Sequence, residues 1–241
     1  MDENIELLIK NILDEACQPI KQIGDMSWIM AAVKSRLSGR SNVKVVIGAR
    51  RADIVNVLQA LQLFSGEEIM VSSLLSLLCA TFDENYQSKV HPSFVVILKQ
   101  LSDDELRILR HVFDSSCLVP LITLQVKVGA SGGRTDFFRH FSCLHKELGL
   151  ASYNRASDVP VLLDNLSRLK LIEIHEDRRM TDDEPYAKIL ADADFAAIKD
   201  RVKLDDGMEW NIRKMFFDMT DFGAQFCKVC FAYSEIVDKT E

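Results

Sequence analysis

The chain has 241 residues, 48% of them hydrophobic and 27% charged, with a formal net charge of −7. That length supports one large domain or two modest ones, each able to bury a core. The acidic balance argues against a protein that coats nucleic acid nonspecifically, because neutralising phosphates needs concentrated lysine and arginine.

No stretch approaches the ~18 apolar residues that a membrane-spanning helix needs. The longest candidate, Ile69 to Ala80, is interrupted by Ser72, Ser73 and Ser76. The N-terminus begins Met1-Asp2-Glu3, acidic where a secretory leader is basic. A cytoplasmic protein is expected. The cysteines Cys17, Cys79, Cys117, Cys143, Cys227 and Cys230 lie scattered among apolar neighbours, which fits buried free thiols better than a disulfide framework.

Ile5, Leu8, Ile9, Ile12 and Leu13 recur at helical spacing, with Asp2 or Asn4 as caps, until Pro19 ends or bends the segment. An apolar stripe of this kind, unless packed within its own chain, would serve homo-oligomerisation. A second helix is predicted from Ser27 to Leu37, stopping at Ser38-Gly39. Lys34, Arg36, Arg40, Lys44, Arg50 and Arg51 form a run with no acid between Asp25 and Asp53. It reads as a solvated helix face and loop, with a basic docking surface as the second reading. Lys44 to Ile47 is a short β-branched run.

Helical periodicity returns through Ile54, Val55, Val57, Leu58 and Leu61. Ser65 and Glu68 stand at capping-box spacing, and the helix they would start, Ile69 to about Phe82, is apolar around most of its circumference, as a central core helix would be. Pro92 suits the first turn of a helix through Phe94 and Leu98, and Ser102 with Glu105 repeats the capping box before Leu106, Leu109, Val112 and Phe113.

After Phe113 the pattern changes. Pro120 to Val128 is read as a strand or an extended loop, and Gly129, Gly132 and Gly133 as a turn. Thr135 or Asp136 would then cap a helix through Phe137, Phe138, Phe141 and Leu144. Asp158 and Pro160 start a helix to Leu169, followed by the alternating Leu171-Ile172-Glu173-Ile174-His175. Lys214 to Met219 reads as a returning strand, and Thr220 or Asp221 caps a last helix containing Phe222, Phe226 and Val229.

The order helix, helix, helix, strand, strand, helix is that of a winged helix. The expected fold is therefore mainly α with a small β wing: a helical domain over residues 1–100 and a winged-helix-like domain over 101–241. The helix before the wing would be the presented one, with Asn165, Arg168 and Lys170 joined by Arg178 and Arg179 of the wing as candidate partner or nucleic-acid contacts. Their charge setting is mixed. The wing also holds an insertion, 181–209, with nine carboxylates against four Lys or Arg, which would repel a duplex. Protein contact is the leading reading, and a winged-helix DNA-binding transcriptional regulator the alternative.

Chemical motifs are sparse. Gly129 to Asp136 lacks the Gly-Lys-Ser/Thr ending of a phosphate loop. Cys227 and Cys230 have no second pair to complete a zinc site. In His140-x-x-Cys143-x-His145 the last histidine is off the helical face of the first two, so three-ligand geometry is awkward. His91 precedes Pro92, and His111 and His175 have no nearby nucleophile, so a structural or solvent-exposed role is expected for them, and no catalytic arrangement stands out. No enzyme activity, cofactor or metal is expected.

The block Val90 to Ser102, with His91-Pro92-Ser93-Phe94 at its centre, resembles the abortive infection alpha family of bacterial proteins. So do Asp164 to Glu173 and the closing Met219 to Phe226. The similarity spans about residues 52–230. Lys170 stands where the family often has glycine, and the acidic insertion after Met180 is unusually long. The resemblance implies a setting in bacterial defence against phage and carries over no catalytic residues. Within the family motif, Pro92 would start a helix and Phe94 anchor it. The sequence reading as a whole is a non-enzymatic interaction protein of an abortive-infection system.

Overall fold

A computed structural model describes residues 27–233 except 39, 41–42, 46–49, 65, 130–131 and 154, together with Leu7, Lys10 and Asn11. The expected N-terminal helix, its oligomerisation stripe and the Ser65 cap lie outside the described residues. The chain divides into two compact units, Met1–Leu106 with Gln225–Glu241, and Arg107–Ala224.

The first unit is helical. Helix α1 (Ser27–Ser38) buries Ile29, Val33 and Leu37, spaced four apart along one face. Helix α2 (Arg51–Leu63) buries Ile54, Val57, Leu58, Ala60 and Leu61. Helix α3 (Glu68–Phe82) is buried from Ser73 to Phe82 without a break. Its apolar circumference puts it at the centre of the core, with α1 and α2 packed on it. Polar groups on so deep a helix must find partners. Ser73 donates its hydroxyl back to Ile69 O at 2.8 Å, and Ser76 donates to Val229 O at 3.1 Å.

Asp83 ends α3 and opens the short helix α4 (Glu84–Gln87), accepting from the Asn85 N–H at 2.9 Å. Val45, in the short β-branched run, forms a lone bridge with Asp83. Helix α5 (Phe94–Leu98) follows the Pro92 turn. Helix α6 (Asp103–Ser115) begins with the capping box that its sequence signals. The Glu105 N–H donates to Ser102 Oγ at 3.3 Å, and Ser102 N–H and Oγ–H both donate to Glu105 Oε2 at 2.6 and 2.8 Å.

The second unit is built on an antiparallel sheet of four strands, which overturns the mainly-α expectation. The strands are β1 (Val119–Val128), β2 (Gly133–Phe141), β3 (Ile172–His175) and β4 (Met208–Met219), in the order β2-β1-β4-β3. The protein is a mixed α/β chain, and the winged-helix reading fails on the register. The expected wing is the pair β3 and β4. Here β4 pairs along its length with β1, from Val119↔Phe217 to Val128↔Met208, and β3 meets only its last turn of chain, from Ile172↔Met219 to His175↔Phe216.

The expected helix from Thr135 to Leu144 is instead strand β2, and only Leu144–Glu147 (α7) is helical. The cause is a pair of register shifts opposite Ile122, Leu124 and Gln125. A bulge breaks the two-residue alternation of a strand. Phe138 and Phe141, three apart, therefore both pack on one core and imitate helical spacing.

The acidic segment 181–209 is not a solvated wing. It folds into helices α9 (Glu184–Leu190) and α10 (Ala193–Asp200) and then the start of β4. Tyr186, Ile189, Phe195 and Ile198 from these helices are buried with Ile122, Leu124 and Phe141 of the sheet. The Tyr186 hydroxyl donates to Met215 O and accepts from Met180 N–H, both at 2.9 Å. One face of the sheet is thus covered by an amphipathic pair whose acids point outward or find lysines.

Helix α8 (Val159–Arg168) packs on β2 and β3 through Leu162, Leu163 and Leu166, with Pro160 in its first turn as expected. It ends in a Schellman turn, in which Leu171 N–H donates to Leu166 O and Lys170 N–H to Ser167 O. The last helix, α11 (Asp221–Cys230), starts against that turn. Thr220 N–H donates to Leu171 O at 3.1 Å, Thr220 Oγ1–H donates to Lys170 O at 2.6 Å, and Gly223 N–H donates back to Thr220 Oγ1 at 2.9 Å. A Cβ on Gly223 would overlap the Leu171 carbonyl oxygen and lie 2.8 Å from its carbon. Only glycine allows this backbone approach. Gly223→Ala should therefore lower the stability of the sheet unit by about 1–3 kcal/mol. Urea unfolding followed by Trp210 fluorescence checks this, and an unchanged midpoint would refute the close approach.

Candidate functional site

Successive strand residues alternate faces, so the residues between the buried Ile122 and Leu124 series lie on the other side of the sheet. That side of β1 runs from the buried Val119 and Leu121 through Thr123 to a polar end at Gln125 and Lys127. Asn211 Nδ2–H donates to Gln125 Oε1, and Gln125 Nε2–H donates to Asp136 Oδ1, each at 2.7 Å. Arg213 bridges Asp136 Oδ2 at 3.3 Å and Glu176 Oε2 at 3.2 Å, and Arg139 reaches Glu176 Oε1 at 3.4 Å. These groups are a third to a half exposed, so each pair contributes at most about 1 kcal/mol.

His140 sits within this network. Its backbone has φ 54°, rare for a residue with a Cβ, and its N–H donates to the buried Thr123 hydroxyl at 3.4 Å. The ring is 2% exposed. Nδ1 faces Asp164 Oδ1 of α8 at 3.5 Å and Nε2 faces Glu176 Oε1 at 3.7 Å, and neither nitrogen has a hydrogen-bond partner among the described residues. Burial pushes the imidazole below its ordinary pKa, helped by Arg139 and opposed by the two carboxylates.

The His140-x-x-Cys143-x-His145 cluster is split by the fold. While His140 faces Asp164 and Glu176, Cys143 Sγ lies 3.8 Å from Asp192, and His145 Nε2 lies 3.0 Å from Asp194. Lys146 occupies the same acidic corner, 2.7 Å from Asp192 and 2.8 Å from Asp194. Hydrogen bonds from Lys146 and then His145 hold the Asp194 carboxyl below the usual carboxylate range. Among the described residues, no group of three or more His, Cys, Asp or Glu is placed to hold a metal. His175 pairs with Asp218 at 3.1 Å and stacks on Phe216 with ring centroids 4.7 Å apart.

Gly133 to Asp136 are the first residues of strand β2, where a phosphate loop would need the start of a helix. Cys227 and Cys230 are both fully buried in the first unit, and burial lifts the Cys230 thiol far above its ordinary range.

The candidate contacts are dispersed along one element and its neighbouring turn. Arg168 spends its guanidinium on its own helix, with Nε–H and Nη2–H donating to Asn165 Oδ1 at 3.1 and 2.7 Å. Lys170 is the left-handed residue of the Schellman turn, φ 60°, and is exposed. Arg178 and Arg179 are exposed in the turn after β3.

His91-Pro92-Ser93-Phe94 lies in the first unit and builds a turn. His91 Nδ1 accepts the Ser93 N–H at 3.2 Å and lies 2.6 Å from Ser93 Oγ. Ser93 thus sets a hydroxyl beside an imidazole two residues away, and the same nitrogen is already fixed by the backbone of its own turn. Phe94 is fully buried and meets Phe226 edge to face, centroids 5.4 Å apart. Beside them, Asp53, Val57, Leu77, Thr81, Val90, His91, Pro92 and Val95 line a pocket of about 10 Å³, room for roughly one water.

The fold and these sites describe a mixed α/β protein, with a helical unit and an antiparallel sheet unit clasped by helices. The model of the abortive infection alpha family matches residues 31–230, and the chain belongs to that family. No curated protein matches it. Among solved structures, an uncharacterized protein from the hydrocarbon-degrading marine bacterium Alcanivorax borkumensis SK2 is similar at 19% identity. The alignment covers 60% of this chain and 96% of that one with a TM-score of 0.40. No helix among the described residues is long and apolar enough to cross a membrane.

Two outcomes follow from these geometries. Lys170→Gly should raise stability by about 1 kcal/mol by removing left-handed strain, measured by urea denaturation; a loss of stability would show that the lysine side chain matters more than its φ. The Cys143 thiol is pushed up to about 11 by burial and then by Asp192. At pH 8 it should react with iodoacetamide about 100-fold more slowly than an ordinary thiol, read by peptide mass spectrometry; an ordinary rate would contradict its placement.

Proposed function

We propose that the protein acts in abortive infection as a non-enzymatic interaction protein, through protein–protein contacts of the sheet unit. The observation that carries this reading is the outer face of α8. Val161 is 62% exposed there, beside exposed Asp164 and Arg168 and half-buried Asn165, with Lys170 at the end of the helix. An exposed apolar anchor rimmed by charges of both signs suits a protein surface, where packing supplies affinity and charge supplies register. It suits a phosphate backbone poorly, because Arg168 is tied to Asn165 and Asp164 stands alongside.

The titratable groups support the same reading. His145 and His175 are held by aspartates, His91 by its own turn, and Asp136 and Glu176 by arginines. Groups committed to such pairs stabilise a scaffold and are poorly placed to exchange protons with a substrate.

The test is affinity capture from phage-infected cells with the wild-type chain and with the double variant Val161→Asp, Arg168→Glu. The expected result is one partner retained by the wild type and bound roughly 10-fold or more weakly by the variant, at unchanged melting temperature. A nuclease or hydrolase activity of the purified protein that vanishes on a single-residue change would overturn the proposal.

A further inference from the structure

We propose that His140 is an acid-operated latch, whose protonation releases helix α8 and the turn after β3 from strand β2. The inference stands whether or not the outer face of α8 meets a protein.

The geometry begins with the backbone. The bulged end of β2 turns His140 to φ 54°, while Phe138 and Phe141 on either side are anchored in the core beneath α9 and α10. Those anchors and the bond from His140 N–H to Thr123 Oγ1 hold the imidazole inside, where α8 and the turn after β3 close over it. A neutral ring tolerates that position. A charged ring does not unless counter-charge or water reaches it.

The groups facing the ring come from every neighbouring element. Helix α8 supplies Asp164, which lies 3.5 Å from Nδ1 and is 59% exposed, so water screens most of its charge. The turn after β3 supplies Glu176, 3.7 Å from Nε2, whose two oxygens already meet Arg139 of β2 and Arg213 of β4. Strand β1 supplies only the neutral Thr123 hydroxyl. Arg213 also holds Asp136. The counter-charge offered to an imidazolium is therefore one screened aspartate and one carboxylate shared with two guanidiniums.

The direction of the effect follows. Burial outweighs both carboxylates and holds His140 below its ordinary value. A base whose folded-state pKa is depressed contributes stability that is complete above the unfolded value, about 6.5. That contribution is lost as pH falls below 6.5 towards the folded value. The loss falls on whatever covers the ring, namely α8 and residues 176–180. Local opening of such covering elements costs less than global unfolding.

The experiment uses the full chain. His140 is titrated by two-dimensional NMR, and amide exchange is followed at pH 7.5 and 5.5, corrected for intrinsic rates, in the wild type and in His140→Gln. The expected result is a His140 titration below that of an exposed histidine. Protection of α8 and residues 172–180 should fall about 5-fold or more at pH 5.5 in the wild type only. A His140 that titrates at or above the exposed value overturns the proposal, and this needs no variant, so a misfolded His140→Gln leaves the test intact. Equal pH dependence in the wild type and a folded variant overturns it as well.

Discussion

A Cβ on Gly223 would overlap the Leu171 carbonyl, and the junction of α8, β4 and α11 depends on that bare backbone approach. Helix α8 must end in a left-handed residue, Lys170, for Leu171 to present its carbonyl outward. That carbonyl receives the Thr220 N–H, and the Thr220 hydroxyl spans Lys170 O and Gly223 N–H. The junction fixes where β3 begins and where β4 stops, and it also starts α11. Two of the three blocks that resemble the family, 164–173 and 219–226, meet there. The third, around Phe94, meets the far end of the last block through Phe226. The residues that carry the resemblance thus mark backbone junctions and a ring contact.

Several elements were legible because their physics is local. The Ser102–Glu105 box, the Pro160 start, the mostly apolar circumference of α3 and the alternation of Ile172 to His175 all rest on residues within four positions of one another. Strand β2 was not legible, since its bulge places Phe138 and Phe141 on one side at a helix-like interval. The first half of β4, Met208 to Arg213, was not read as strand, and with it the sheet was missed. Lys170 was visible as a departure from glycine, but the penalty it implies needed the φ of 60°. The polar network was beyond reach: Asp136 and Arg213 are 77 positions apart, Gln125 and Asn211 86, and Arg139 and Glu176 37. No periodicity joins residues at such distances.

Charge was read too coarsely from composition alone. The acids of 181–209 suggested an insertion in a wing, one that would repel a duplex. In the folded chain Asp183 meets Lys214 at 2.9 Å, Asp192 and Asp194 share Lys146, and Glu209 pairs with Lys127, while the apolar sides of the same helices bury Tyr186 and Phe195. The segment is a structural lid on the sheet first and an acidic surface second.

Amide exchange at Thr220 tests the junction most directly. Its N–H donates to Leu171 O across 49 residues of sequence, at a place where β3 and β4 both run out. The account predicts protection comparable to that of the central β1–β4 amides, lost only with unfolding of the whole sheet unit. Exchange at Thr220 as fast as at the exposed amides of residues 176–179 would contradict it.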